Sequence, residues 1–187
     1  MQKDFYLIKK QNSVHLVQAC RSGNLPKVKE ILHQGVVIDA WDHFGYTPLI
    51  ISSLKGSFEI AAALLQHGAD INFIDDRGNT PLIHAISSGG EDVVLLLLKN
   101  GAKINTQNNI GNSALIVACE AGNFNIAKLL IENGADTRQR NHAGKTALHH
   151  AEAEGHKHIV TMIIAEYSKP ALKRPLKLKL PPKIGQQ

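Results

Sequence analysis

Glycine and leucine recur along this chain at a fixed step of 33 residues. Glycine series begin at Gly23, Gly35 and Gly45, and a leucine series begins at Leu16. The third glycine series continues as Gly78, Gly111 and Gly144. Four series with one period and no insertion between them indicate a repeat array, in which each repeat packs mainly against its neighbours.

Within one repeat, the order of residues predicts two short helices. Thr47 is placed to cap the first helix, and Pro48 stands at its first position, where a missing N–H costs nothing. Gly56 ends that helix, because a residue in the left-handed conformation is least strained without a Cβ. Ser57 is placed to cap the second helix, and Gly68 stops it.

Composition agrees with a stack of small helices, since 43% of the 187 residues are hydrophobic but only 5% are aromatic. The N-terminal sequence offers only residues 5–8 as an apolar run, which is too short for the core of a signal peptide. No stretch of the chain approaches the length needed to span a bilayer. We therefore expect a cytoplasmic protein, with nuclear import as an alternative.

The chain carries GYTPL at residues 45–49 and GADIN at residues 68–72, a combination that resembles the ankyrin repeat. The likeness continues through GNTPL at 78–82 and ends in GKTALH at 144–149. The resemblance implies an all-α solenoid of stacked helix-turn-helix units with hairpin-like loops projecting at one edge. It also implies a concave surface made of loop tips and first helices.

From this resemblance we divide the chain into an N-terminal extension, five repeat units and a tail. The extension is residues 1–11, which we expect to cover the end of the stack, and the tail is residues 168–187. The units comprise approximately residues 12–41, 42–74, 75–107, 108–140 and 141–167, and each connecting loop is named with the unit that it leads into.

Some residues depart from the family pattern. The histidine that usually follows Thr-Pro-Leu is kept only as His149, so we expect the hydrogen bonds it supplies to be partly missing. The fourth unit has Ser113-Ala114 in place of Thr-Pro, which predicts looser packing. We interpret His84 and His150, one residue beyond the family position, as helix-surface or satisfied core histidines.

Positions that differ between repeats are the candidates for function, because the shared positions build the fold. The second unit holds the only Trp, together with Phe44 and Tyr46, on a loop that the resemblance places at the solvent edge. Three aromatic side chains of about 150–250 Å² each could supply over half of the roughly 800 Å² that one partner contributes to a standard interface. We predict a groove that binds a folded protein or a peptide through Trp41, His43, Phe44, Tyr46, Leu54, Lys55, Ile74, Arg77 and Asn79. In the alternative interpretation, Trp41 and Phe44 pack against residues 5–8.

The tail is the basic part of the chain. From Lys169 onward it holds six cations and no acid, whereas the whole chain has a formal charge of +5, so the other 168 residues carry about −1. This distribution argues against the groove as a nucleic-acid site. A docking segment is predicted at Lys173, Arg174, Leu176, Leu178 and Leu180. Alternatively, the tail covers the open end of the stack, directs nuclear import, or contacts an anionic membrane or nucleic acid.

No catalytic or metal-binding constellation stands out in the sequence. Cys20 and Cys119 lie three periods apart, so we place them about 30 Å from each other, too far for a disulfide, and interpret both as core residues. There is no His-Glu-x-x-His, Cys-x-x-Cys or phosphate-binding glycine loop. We expect no enzymatic activity, no cofactor, no metal and no small-molecule substrate. We expect the protein to be a monomer. Two function classes remain: a protein-binding scaffold, and an adaptor whose tail docks on a kinase-like or acidic partner.

Overall fold

The computed structural model describes residues 13–168, which form ten helices arranged in five successive pairs. Among these residues, β pairing is confined to an isolated antiparallel bridge between Gln107 and Ser113. In chain order the helices are α1 (13–22), α2 (Leu25–His33), α3 (Pro48–Leu54), α4 (Phe58–Gln66), α5 (Pro81–Ser87), α6 (Glu91–Lys99), α7 (Ala114–Glu120), α8 (Phe124–Glu132), α9 (Ala147–Ala153) and α10 (Lys157–Tyr167).

The helices pack in two rows. The helices α3, α5, α7 and α9 contact one another in sequence to form the inner row, and α2, α4, α6, α8 and α10 form the outer row. From the second pair onward, each inner helix also packs against the outer helix that follows it. The predicted all-α solenoid is therefore confirmed. None of the helices within 13–168 has the length and apolar character required to cross a membrane.

The inner helices begin where the sequence predicts. Thr47 Oγ1 accepts the N–H of Ile50 at 3.3 Å, which caps α3 at Pro48. Ser57 stands at the cap position of α4, as predicted, but its side chain makes no capping hydrogen bond. Asn24 has nearly the same backbone angles at the start of α2, and its Oδ1 accepts the Lys27 N–H at 3.0 Å.

The repeated leucines form the centre of the core. Leu16 and Leu49 are completely buried, and Leu82 and Leu115 are each 1% exposed. Leu148, the next in the series, is only half-buried. Among the described residues the inner row ends at α9, so no further helix covers this side chain.

Candidate protein-binding surface

One side chain holds the backbone of each projecting loop. Asp42 Oδ1 accepts the N–H groups of Phe44 at 2.8 Å and Tyr46 at 3.1 Å. The same pair of bonds is made 33, 66 and 99 residues later by Asp75, Asn108 and Asn141. Four loops therefore share one backbone arrangement, whatever residues they present between the bonded positions. We call residues 39–46, 72–79, 105–112 and 138–145 together the loop edge.

Side-chain amides join successive loops. Asn108 Nδ2 donates to Asn79 Oδ1 at 2.9 Å, and Asn141 Nδ2 donates to Asn112 Oδ1 at the same distance. The loop edge is thus a continuous hydrogen-bonded surface between the third and fifth units. Asn79, which the sequence assigned to partner binding, is half-buried and bonded to the next loop.

Large apolar side chains are exposed along this edge. Trp41 is 65% exposed, Phe44 53%, Ile74 54% and Ile110 62%. The Trp41 ring lies 5.9 Å from the ring of Phe73 on the next loop. Sequence reasoning did not include Phe73 or Ile110 in the site. Ile110 is one of the positions that differ between repeats, and it lies 66 residues after Phe44, at the same loop position.

Tyr46 has a different environment from the other predicted aromatic anchors. Its ring lies 5.9 Å from that of Phe44 and meets the ring of His84 edge-on at 5.2 Å. The side chain is half-buried and packs against the hydrophobic core. Tyr46 therefore links the exposed rings of the second unit, including His43 at 3.9 Å from Phe44, to the interior of the third.

The remaining predicted residues lie in two places. Arg77 is exposed on the loop of the third unit, near Ile74 in sequence. Leu54 and Lys55 are exposed at the far end of α3, and Leu54 is 40% exposed. A helix of seven residues is about 10 Å long, so these two lie about that distance from the loop where α3 begins. The predicted set thus divides into a loop group and a helix-end group.

His84 is a satisfied core histidine, one of the two interpretations that the sequence left open. It is 6% exposed, and its Nε2 lies 2.8 Å from Asp75 Oδ2. Asp75 is also buried, and its other oxygen accepts the N–H groups of Arg77 and Asn79. The pair therefore fixes the loop of the third unit from beneath.

Two acids at the N-terminal end of the loop edge are engaged in internal contacts. Burial alone would raise the pKa of the Asp42 carboxyl, but the N–H groups of Phe44 and Tyr46 and the Arg21 guanidinium outweigh it, so the pKa is lowered. Burial raises the pKa of Asp39, which accepts the Asp70 N–H at 3.0 Å.

The two cysteines are unsuited to nucleophilic chemistry. Cys20 and Cys119 are completely buried, and burial raises the pKa of each thiol to about 12. Near neutral pH both thiols are protonated, and the thiolate is the reactive form. Within residues 13–168, no group of three His, Cys, Asp or Glu side chains is arranged to hold a metal ion.

Two shallow grooves lie on the outer row of helices, away from the predicted site. One, of about 280 Å³, runs between α6 and α8, and the other, of about 310 Å³, lies between α4 and α6. Their linings combine Leu95 with carboxylates such as Asp92 and with Lys99 or Lys128. Neither contains a predicted site residue. Trp41 and Phe44, which are more exposed than Phe58 and Phe124, lie on the loop edge instead.

Two predictions fall on parts of the chain outside the described residues. The tail docking segment from Lys173 to Leu180 lies beyond residue 168, and the alternative packing partner of Trp41 and Phe44 lies before residue 13. Both stay predictions.

A family model described as ankyrin repeats (3 copies) matches residues 16–108 and 105–173, which together cover most of the chain. The chain belongs to the ankyrin repeat family. A comparison with curated proteins gave no match. Ankyrin repeats generally mediate protein–protein interaction, and the family is generally non-catalytic. The ankyrin array of this chain therefore suggests protein partners.

Proposed function

We propose that this protein is a non-catalytic scaffold that binds a protein partner through the loop edge of its second, third and fourth units. The observation that carries the proposal is the exposure of Trp41, Phe44, Ile74 and Ile110, each more than half exposed, on successive loops. Contiguous exposed apolar side chains mark interaction sites, and aromatic residues dominate the binding energy of many interfaces.

The loop backbone favours this role because it is organised before a partner binds. Asp42, Asp75 and Asn108 each hold two backbone N–H groups, and Asn108 also bonds to the preceding loop. Association is opposed by the entropy of ordering flexible segments. A loop that is already hydrogen-bonded loses little further freedom, so more of the contact energy of its exposed side chains contributes to affinity.

We also propose that the protein is not an enzyme. The thiols of Cys20 and Cys119 are buried with a pKa of about 12, and the His84–Asp75 pair is enclosed and holds a loop. The ordinary structural roles of these groups support a binding function. The predictions of a monomer without a cofactor, in the cytoplasm or nucleus, accompany this proposal.

The decisive test compares two double variants. One lacks two exposed aromatic rings of the loop edge, and the other lacks two exposed aromatic rings elsewhere on the protein. The double variant Trp41→Ala/Phe44→Ala should lose the proteins that the wild-type chain retains in affinity capture, because the anchor area is gone. Its free energy of unfolding should fall by less than about 1 kcal/mol, since only exposed ring contacts are lost. Tyr46 is left in place because it is half-buried.

The matched control is Phe58→Ala/Phe124→Ala, which removes two rings that are 41% and 40% exposed at the starts of α4 and α8. This control should retain the same proteins as the wild type. Capture of the same proteins by the Trp41/Phe44 variant and the wild type would refute the loop edge as the binding surface.

The alternative function is an adaptor whose basic tail makes the contact. The charge distribution favours it, because residues 169–187 hold six cations and no acid. Deleting these residues should abolish capture if the tail binds the partner, and binding should weaken steeply as salt is raised. Binding anchored on aromatic rings should persist in high salt and after the deletion.

A further inference from the structure

The loop edge is electrically polarised along the array. Its four corresponding windows, 39–46, 72–79, 105–112 and 138–145, carry formal charges of −2, −1, 0 and +3 with histidine neutral. The exposed apolar side chains lie in the first three windows, and the cations are concentrated in the fourth. A partner that follows the loop edge therefore meets apolar side chains first and positive charge last.

Most of the negative charge is used inside the protein. Asp42 pairs with Arg21 as well as holding its loop, and Asp39 accepts a backbone N–H. Asp75 is buried against His84. Among the acids of these windows, only Asp76 is exposed, and it is adjacent to exposed Arg77. Apart from half-buried Asp39, which has no ion-pair partner among residues 13–168, the N-terminal end presents its acids paired or buried despite its acidic sequence.

The positive charge is accessible. Arg138, Arg140 and Lys145 are exposed, and no carboxylate of residues 13–168 forms an ion pair with any of them. The Arg140 Nη1 donates to the Gly144 carbonyl at 2.6 Å, and Arg138 lies over the Tyr167 ring at 5.4 Å. These contacts hold both guanidinium groups at the loop while leaving their charge unneutralised.

We propose that the partner is a protein segment with apolar side chains at one end and a cluster of carboxylates at the other. The apolar end lies over Trp41, Phe44, Ile74 and Ile110, and the carboxylates lie over Arg138, Arg140 and Lys145 on the loop that leads into the fifth unit. This inference rests on the proposed function of the loop edge. Helices pack about 8–10 Å apart, so the two ends are separated by roughly 30 Å, the reach of about nine extended residues.

The charge pattern favours an acidic protein segment over a nucleic acid. A nucleic acid bound along the edge would place phosphates at every loop, and each would need a nearby cation. Residues 105–112 contain no charged side chain, and Ile110 is exposed there. An acidic cluster confined to one end of a polypeptide matches the cations of the fifth unit without requiring charge on the fourth.

The test uses three synthetic peptides of about 18 residues, long enough to span the roughly 30 Å between the two ends. All three share one half that contains Trp and Leu, and the other half is rich in Glu, Ser or Lys. Binding to the full chain is measured by fluorescence anisotropy. The Glu peptide should bind about tenfold more tightly than the Ser peptide, as a few exposed ion pairs allow, and the Lys peptide should bind most weakly.

Two charge-reversal variants separate the fifth unit from general electrostatics. Arg140→Glu/Lys145→Glu should remove the preference for the Glu peptide over the Ser peptide and leave the affinity for the Ser peptide unchanged. The matched control, Lys99→Glu/Lys128→Glu, makes the same change of net charge on exposed residues of α6 and α8. It should keep most of the preference, because these lysines lie on the outer row.

Equal affinity for the Glu and Ser peptides, or equal loss of preference in both charge variants, would overturn the acidic-partner inference. The proposed function would survive that outcome if Trp41→Ala/Phe44→Ala still weakened binding of the Ser peptide. If that variant bound every peptide as the wild type does, or if no peptide bound the wild type, both proposals would be overturned.

Discussion

The loops of the third and fifth units have the same backbone hydrogen bonds but different surroundings. Asp75 and Asn141 each hold two N–H groups of their loop, and Gly78 and Gly144 have φ values of 74° and 73°. The third-unit loop is covered by the next loop and supported by a buried acid–histidine pair. No heavy atom of a neighbouring loop would meet a Cβ built at Gly144. Loops with the same backbone conformation should therefore differ in how well they tolerate a side chain at the glycine.

The largest difference between the two loops should appear at their glycines. A Cβ on Gly78 would lie 2.9 Å from the backbone N of Asn109, whose N–H donates to the Arg77 carbonyl at 3.0 Å. Gly78→Ala should therefore lower the free energy of unfolding by about 3 kcal/mol or more, from backbone strain and displacement of the next loop. Gly144→Ala should cost only the strain, about 1–2 kcal/mol.

Urea unfolding of the two glycine variants, followed by circular dichroism, measures both losses. Equal destabilisation would mean that the next loop yields to the added methyl group without cost. The comparison between a covered and an uncovered loop would then fail.

A difference no larger than that between the glycines is expected at the residues that hold the loops. Asp75→Ala leaves buried His84 and two backbone N–H groups without their acceptor and should cost about 3 kcal/mol. Asn141→Ala also removes a loop acceptor, but in a less buried setting, and should cost about 1–2 kcal/mol. Asp75→Asn is the control, because it retains a carbonyl oxygen for the two N–H groups. If Asp75→Ala and Asp75→Asn proved equally destabilising in urea, the loss would belong to the charge rather than to the loop bonds.

The smallest effect concerns the start of α9. His149 Nδ1 lies 3.3 Å from the Thr146 backbone N and 2.7 Å from Thr146 Oγ1, whereas the equivalent residue of the third unit is the buried Ile83. His149→Ala should lower the free energy of unfolding by about 1 kcal/mol through the loss of a helix cap, and so lower the unfolding midpoint. Thermal unfolding of this variant beside Thr146→Ala provides the check. Additive losses in the double variant would show that the two side chains do not act as one cap.

Much of the fold could be predicted because its signals are local and repeated. Thr47 and Pro48 begin α3, and Gly56 and Gly68 follow the two helices of the second unit, as their residue types indicate. The absent Ser57 cap was missed because residue type alone does not specify whether a side chain at the cap position makes the hydrogen bond. Serine does stand at the start of α4, but it does not form the hydrogen bond for which serine is preferred there.

The candidate site could be predicted only in part. The positions of Trp41 and Phe44 on a projecting loop followed from the resemblance to the ankyrin repeat, and both are exposed. The support of Trp41 by Phe73 and of Tyr46 by His84 involves residues of adjacent units. A single repeat does not contain these contacts, so its pattern could not predict them.

The sequence by itself determined the repeat, the helices, the turns and the positions where side chains differ, because each depends on neighbours within about ten residues or on a simple count of 33. The tertiary structure decided which of those differing side chains remain available. Stacking brings Arg21 to Asp42, and folding within the third unit buries Asp75 against His84, while Arg138, Arg140 and Lys145 remain exposed. Ion pairing and burial depend on distances in space. The first loops of the loop edge are therefore acidic in sequence, whereas its accessible charge consists mainly of the cations on its last loop.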